Sequence, residues 1–148
     1  MRTICIHQPD FAPYLGFFHR LLLADHFVIL DDVQFIKGGW QNRDRIKCRQ
    51  GSVWLTLSIV KKFPQQINEV MLDPKPQWID DNLNLLRHLY ARAAYFDEVF
   101  PRIEAIYRSG YKKLIELNLA MIQLAFEYLE ISIQVSYASQ HKVADKSN

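Results

Sequence analysis

Cysteine, glycine and proline are all scarce in this 148-residue chain, with two, five and six of each, and its charges almost cancel. Cys5 and Cys48 each stand alone in a short apolar stretch, with no second cysteine at metal-ligand spacing. That excludes a zinc-ribbon or disulfide-rich scaffold and leads us to expect two buried, reduced thiols. So little glycine and proline leaves no collagenous, low-complexity or linker tract, and no internal repeat is present. The 18 basic and 16 acidic residues give a net charge of +2, far from the concentrated basic surface of a general nucleic-acid binder. Long hydrophobic runs are missing too. Leu21-Leu22-Leu23-Ala24 and Phe27-Val28-Ile29-Leu30 fall well short of the roughly 20 residues that cross a bilayer, so no membrane span is expected. Pro9 and Asp10 arrive before a signal-peptide core could be completed, and a cytoplasmic location is expected.

What is present is a hydrophobic fraction of 49% and an aromatic fraction of 13%, enough for one compact domain over residues 1–148. The expected class is α/β, an N-terminal parallel βαβ unit with a β-hairpin and a helical middle region. Residues 3–6 form an apolar run that breaks at His7-Gln8-Pro9-Asp10, as a strand entering a loop does. Leu15, Phe18, Leu21 and Leu22 then follow helical spacing across residues 14–24, with Pro13 acceptable at the first turn. Residues 27–30 are a continuous apolar run ended by Asp31-Asp32, the pattern of a buried strand. With no hairpin signal between them, these strands should be parallel. The loops leaving their carboxyl ends, residues 7–13 and 31–43, should then face one crevice.

Further on, residues 45–48 and 52–59 read as a hairpin across Arg49-Gln50-Gly51, and residues 69–72 as extended. Helices are expected after Asp73-Pro74-Lys75-Pro76, from about Pro101 to Gly110, and over residues 112–130, the last with apolar stripes on two sides. Residues 131–137 alternate like a half-buried strand, and residues 140–148 form a polar tail.

The chemistry-bearing residues concentrate in residues 6–45. His7 ends the first strand beside a helix start, where unsatisfied amides and the positive dipole end favour an anion. It is the candidate for proton transfer, with Gln8 as a hydrogen-bonding partner. Asp31 and Asp32 point to opposite sides in regular strand geometry, so they form no automatic dyad. Asp32 is the candidate to orient His7 or hold a divalent cation. Lys37, Trp40, Gln41, Asn42, Arg43 and Arg45 surround Gly38-Gly39, and the cationic groups and amides among them are candidates to bracket a phosphate or carboxylate. Arg43 and Arg45 share strand parity and Asn42 opposes them. A bland alternative makes this segment a solvated basic turn with Trp40 packed on the core. His19, His26 and His88 are better read as ordinary helix or strand residues, and the aromatic stripe Trp78, Tyr90, Tyr95, Phe96, Phe100 and Tyr107 as core. No resident metal site and no particular cofactor is indicated.

The run His7-Gln8-Pro9-Asp10-Phe11-Ala12-Pro13-Tyr14-Leu15-Gly16-Phe17-Phe18-His19-Arg20 resembles the opening of the WbqC-like protein family. The likeness continues through Ala24-Asp25-His26-Phe27-Val28-Ile29-Leu30-Asp31-Asp32-Val33-Gln34-Phe35 and through Gly39-Trp40-Gln41-Asn42-Arg43-Asp44-Arg45-Ile46-Lys47. Members of that family are generally longer, so the resemblance implies a further αβ segment after residue 148 and an incomplete domain. It also implies a bacterial protein of surface polysaccharide biosynthesis, as for lipopolysaccharide O-antigen. The expected activity is transfer of a small acyl or aminoacyl group to a sugar nucleotide, a phosphate- or carboxylate-bearing substrate. A non-catalytic nucleotide or sugar-phosphate binding module, and an inactive truncated remnant, are the alternatives. A weaker similarity to nucleotidyl transferases lacks their His-x-Gly-His tetrad and implies only that phosphate binding is conceivable.

Overall fold

The computed structural model describes residues 2–141. Three short strands, β1 (Ile4–His7), β2 (His26–Ile29) and β5 (Gln134–Tyr137), form a parallel sheet in the order β1-β2-β5. A second, antiparallel sheet is the hairpin of β3 (Arg43–Cys48) and β4 (Gly51–Thr56). Helix α1 (Leu15–Leu22) connects β1 to β2, and α2 (Gln77–Tyr90), α3 (Phe96–Arg108) and α4 (Leu114–Tyr128) lie between the hairpin and β5. The mixed α/β class, the parallel βαβ unit and the hairpin are as expected from the sequence. The sheet's third strand was legible only as a strand, without its partner.

The register explains which residues form the core. Cys5 pairs with Phe27, and His7 with Ile29, which continues to Tyr137. Phe27 and Ile29 are buried on the face covered by α1, where Phe17 meets Phe27 edge-on at 5.8 Å. Phe18 meets Phe126 of α4 at 6.2 Å, so both helices crowd the same side. On the opposite face Ile4 and Ile6 remain 59% and 60% exposed, although parallel sheets are usually covered on both sides.

Several expectations shift in detail. Helix α3 begins at Phe96 rather than near Pro101, because the proline lies on the exposed side, where the Asp97 carbonyl it leaves without an N–H can turn to water. Strand β5 begins at Gln134, later than residue 131, and its first two residues are both exposed rather than alternating. Ile67–Glu69 is a short 3-10 turn, and Met71 and Leu72 bridge to Lys113 and Ile59. Helix α4 is buried on more than one side, as its two stripes indicate, through Leu114, Leu117, Ile122 and Phe126 among others. Cys5 and Cys48 are free thiols but half-buried, not buried, because each sits near a sheet margin. Apart from its first two residues, the polar tail of residues 140–148 lies outside the described residues.

Asp31 ties the sheet together. It is 3% exposed and accepts the Ser139 N–H at 2.9 Å, the Ser139 hydroxyl at 2.7 Å and the Asn68 side-chain amide at 3.3 Å. Burial alone would raise its pKa, but these donors outweigh burial and hold it below the ordinary value. The turn after β2 is thereby fastened to the segment after β5. Hydrogen bonds to a charged acceptor are worth about 1.5–3 kcal/mol, so Asp31→Ala should lower unfolding stability by about that much at neutral pH. Since the folded pKa is depressed, this contribution is present above the unfolded carboxylate pKa and is lost as pH falls through the folded one. Urea titrations of both proteins at pH 7 and pH 3 should show the difference shrinking with acid; a constant difference would mean that the ionised carboxylate is not what stabilises.

Candidate functional site

The loop after β1 and the segment leading into β3 do face one another, and the contact is specific. Phe11 N–H donates to the Trp40 carbonyl at 2.9 Å, and the Gln41 side-chain amide donates to the Gln8 side-chain oxygen. Beneath them lies Asn118 of α4, 0% exposed, which donates to the Pro9 carbonyl at 2.8 Å and the Gln41 carbonyl at 2.7 Å. Two carbonyl acceptors require the amide nitrogen there, so the side-chain orientation follows from the contacts. One residue from a distant helix thus clamps both loops. Asn42 is buried as well and donates to the Leu57 carbonyl at 3.1 Å, holding the hairpin from the other side.

Over this clamp opens a cleft of about 330 Å³ lined by Asp10, Pro13, Tyr14, Trp40 and Asp44. His7 borders it through Asp10. Its ring packs edge-on against Phe17 at 5.2 Å, and its Nδ1 lies 2.9 Å from the Gln8 carbonyl and 3.8 Å from the Asp10 carboxylate. A carbonyl oxygen can only accept, so Nδ1 carries the proton and Nε2 is left as the basic nitrogen. Asp10 is therefore the carboxylate in ion-pair reach of His7, the place expected for Asp32. Asp32 is exposed, and among the described residues its side chain makes no hydrogen bond or ion pair.

Both carboxylates of the cleft are held above their ordinary pKa. For Asp10 burial is the largest cause; His7 and Arg20 oppose it and Asp44 adds to it. For Asp44 burial again dominates, against the hydrogen bond from the Arg45 N–H. Two partly buried acids with raised pKa values, one of them beside a histidine, mark this cleft as a candidate site. Among the described residues no group of three or more His, Cys, Asp or Glu side chains is placed to hold a metal ion.

The cationic candidates lie on the other side of Trp40. That ring is 52% exposed rather than packed on the core, and it leans on Trp54 of β4 with centroids 5.8 Å apart. Arg43 and Arg45, projecting the same way as their parity requires, place their guanidinium carbons 4.3 and 4.8 Å from the Trp54 ring centre. Arg43 also donates to the Gly38 carbonyl at 2.6 and 3.1 Å, which Gly38 can present because it adopts a left-handed backbone with φ of 74°. Lys37 is exposed on the same turn. His7, Gln8 and Gln41 therefore lie together at the loop contact, with Gln41 and Asn42 buried, while Arg43 and Arg45 form a separate group on Trp54. Asp10, Tyr14 and Asp44 were not singled out from the sequence as site residues, whereas Trp40 was named in the segment around Gly38-Gly39; the carboxylate spacing of 34 positions gives no local signal, though Asp44 has the strand parity opposite to Arg43 and Arg45.

Two outcomes test this geometry. Replacing Asn118 by Leu removes both donors and leaves two buried carbonyls unpaired; at about 1–3 kcal/mol for each buried unsatisfied group, a loss of roughly 2–6 kcal/mol in chemical denaturation is expected. Asp44→Asn should act the other way. A carboxyl whose folded pKa is raised costs stability once pH passes its unfolded pKa, and the full cost is reached above the folded one. The variant should therefore melt higher than the parent at pH 7 and equally at pH 3, as scanning calorimetry would record; a lower melting point at pH 7 would contradict the assignment.

No solved structure matches the chain. An uncharacterized protein of Mycobacterium tuberculosis is 32% identical over 98% of the chain, which spans 64% of that relative's length. The model of the WbqC-like protein family matches residues 8–148, covering the His7-Gln8 loop from Gln8 onward, the clamp and the whole cleft lining. The chain belongs to the WbqC-like protein family.

Proposed function

We propose that this protein is an enzyme of bacterial surface-glycan or glycoconjugate biosynthesis that transfers a small acyl or aminoacyl group to a sugar nucleotide, and that the cleft beside His7 is where it does so. The observation that carries the reading is that His7 stands 3.8 Å from Asp10, which lines a cleft together with the partly buried Asp44 carboxylate, Tyr14 and Trp40. Exposed aromatic faces beside carboxylates suit a sugar, whose C–H face packs on a ring while its hydroxyls donate to the acids.

In this scheme His7 Nε2 removes the proton from the acceptor hydroxyl or amine as that atom attacks the acyl carbonyl. The new acyl bond forms, the bond to the donor's leaving group breaks, and the imidazolium returns its proton to the leaving group. Asp10, 3.8 Å from Nδ1, stabilises the imidazolium in between. Gln8 and Gln41 fix the loop, Asn42 and Asn118 hold it from below, and Arg43, Arg45 and Lys37 take the phosphates or carboxylate of the substrate. Asp32 at the exposed turn remains a candidate for contact with substrate or cation at the rim.

The first measurement is thermal melting in the presence of UDP-glucose, dTDP-glucose and coenzyme A. A ligand at about 100 times its Kd adds about 2.7 kcal/mol, a rise of several degrees for a chain of this size. A sugar nucleotide should give that rise, and Arg45→Ala should reduce it. With an acyl donor added, mass spectrometry should detect the acylated sugar; His7→Ala should keep the thermal shift and lose about 100-fold or more of the rate. Unchanged turnover in His7→Ala would remove the histidine from the chemistry. The guanidinium pair on Trp54 is held independently of His7, which favours, as second reading, a module that only binds sugar phosphates. A thermal shift without turnover in the parent protein would select that reading.

A further inference from the structure

Away from the His7 cleft, the hairpin and two helices border an open hollow of different character. Ile46 of β3, Leu86 and Tyr90 of α2, and Phe96, Val99 and Ile103 of α3 line an apolar cleft of about 360 Å³. That is within the usual range of roughly 300–1,000 Å³ for small-molecule sites. Phe96 stacks on Phe100 at 4.7 Å, giving the cleft a firm aromatic wall.

A second hollow, of about 660 Å³, adjoins it around the tip of the hairpin. Lys47, Arg49, His88 and Arg92 line this one, and no carboxylate lines either hollow. Tyr90 belongs to both, its hydroxyl accepting the Lys47 backbone N–H at 3.0 Å. Among the described residues the side chains of Lys47, Arg49 and Arg92 make no ion pair and no hydrogen bond. Three unpaired cations around one hollow concentrate positive potential there and raise the local concentration of an anion.

An apolar cleft that opens on a basic hollow matches one kind of molecule. We propose that this surface is a binding site for a single-chain amphiphile with an anionic head, whose tail occupies the apolar cleft and whose phosphate or carboxylate rests among Lys47, Arg49 and Arg92. The ligand is taken as a monomer from solution, since the apolar lining is a recess between helices rather than a protruding apolar face. This site is separate from the His7 cleft and does not depend on the activity proposed for it.

Calorimetric titration below the critical micelle concentration tests the proposal with dodecyl phosphate, octyl phosphate, dodecyl maltoside and inorganic phosphate as probes. Dodecyl phosphate should bind saturably and one to one. Octyl phosphate should bind more weakly, by roughly three- to fourfold for each methylene removed if the whole tail is buried. Dodecyl maltoside, with the same tail and no charge, and inorganic phosphate, with no tail, should each bind at least about tenfold more weakly. The exposed pair Arg49→Glu and Arg92→Glu should weaken dodecyl phosphate by about tenfold or more and leave dodecyl maltoside unchanged. Equal affinity for the charged and uncharged dodecyl compounds would overturn the head-group assignment, and indifference to chain length would overturn the tail assignment. Binding to vesicles of anionic phospholipid with none to monomeric dodecyl phosphate would show a membrane-facing surface and refute the recess.

Discussion

The structure depends on Asn118. It has no access to solvent, and its amide nitrogen joins the backbone of two loops that are far apart in sequence. A buried carbonyl without a donor is costly, so each loop has its backbone satisfied only when α4 is in place and the other loop is nearby. The helix that fills the core is thus also the element that sets the distance between the two walls of the cleft. Gln8 with Gln41, and Asn42 with Leu57, extend the same amide-to-amide stitching outward. Rigid support of this kind is what a site needs if His7 and Asp10 are to keep their separation.

The parallel sheet places that cleft. Helices α1 and α4 cover one face, and His7 ends β1 on the same side as Phe27 and Ile29, directly against Phe17. The ring is therefore held by packing while its nitrogens meet polar groups at the carboxyl end of the sheet, the usual location for ligands in such folds. The other face, with Ile4 and Ile6 exposed, contributes nothing to the cleft. Asp31 closes the opposite margin by joining the end of β2 to the turn after β5.

Within the cleft, stability and chemistry pull apart. Asp10 and Asp44 are partly buried and near enough to repel one another, and both bind protons more tightly than an exposed carboxyl does. A fold selected for stability alone would place neutral amides there, as it does at positions 8, 41, 42 and 118. Asp31 shows the contrast, since a carboxylate given three donors is held in its ionised form and strengthens the fold.

Much of this was readable in the residue order. The continuous apolar run before Asp31 and the alternation of Val53, Leu55 and Leu57 report local geometry, because a strand exposes its sides at a fixed period; the helical spacing of Leu15, Phe18, Leu21 and Leu22 located α1, but its buried side is Phe17, Phe18 and Leu21, while Leu15 and Leu22 face solvent. The same parity predicted that Arg43 and Arg45 project together, and the motif run from His7 to Lys47 was sufficient to suggest the family. Side-chain partners across long separations carry no such period. That Asp10 rather than Asp32 stands beside His7, that Trp40 faces solvent against Trp54, and that Asn118 closes the clamp were decided by how the helices and sheets pack. Burial and hydrogen-bond satisfaction are properties of the assembled structure, and no local pattern in the chain encodes them.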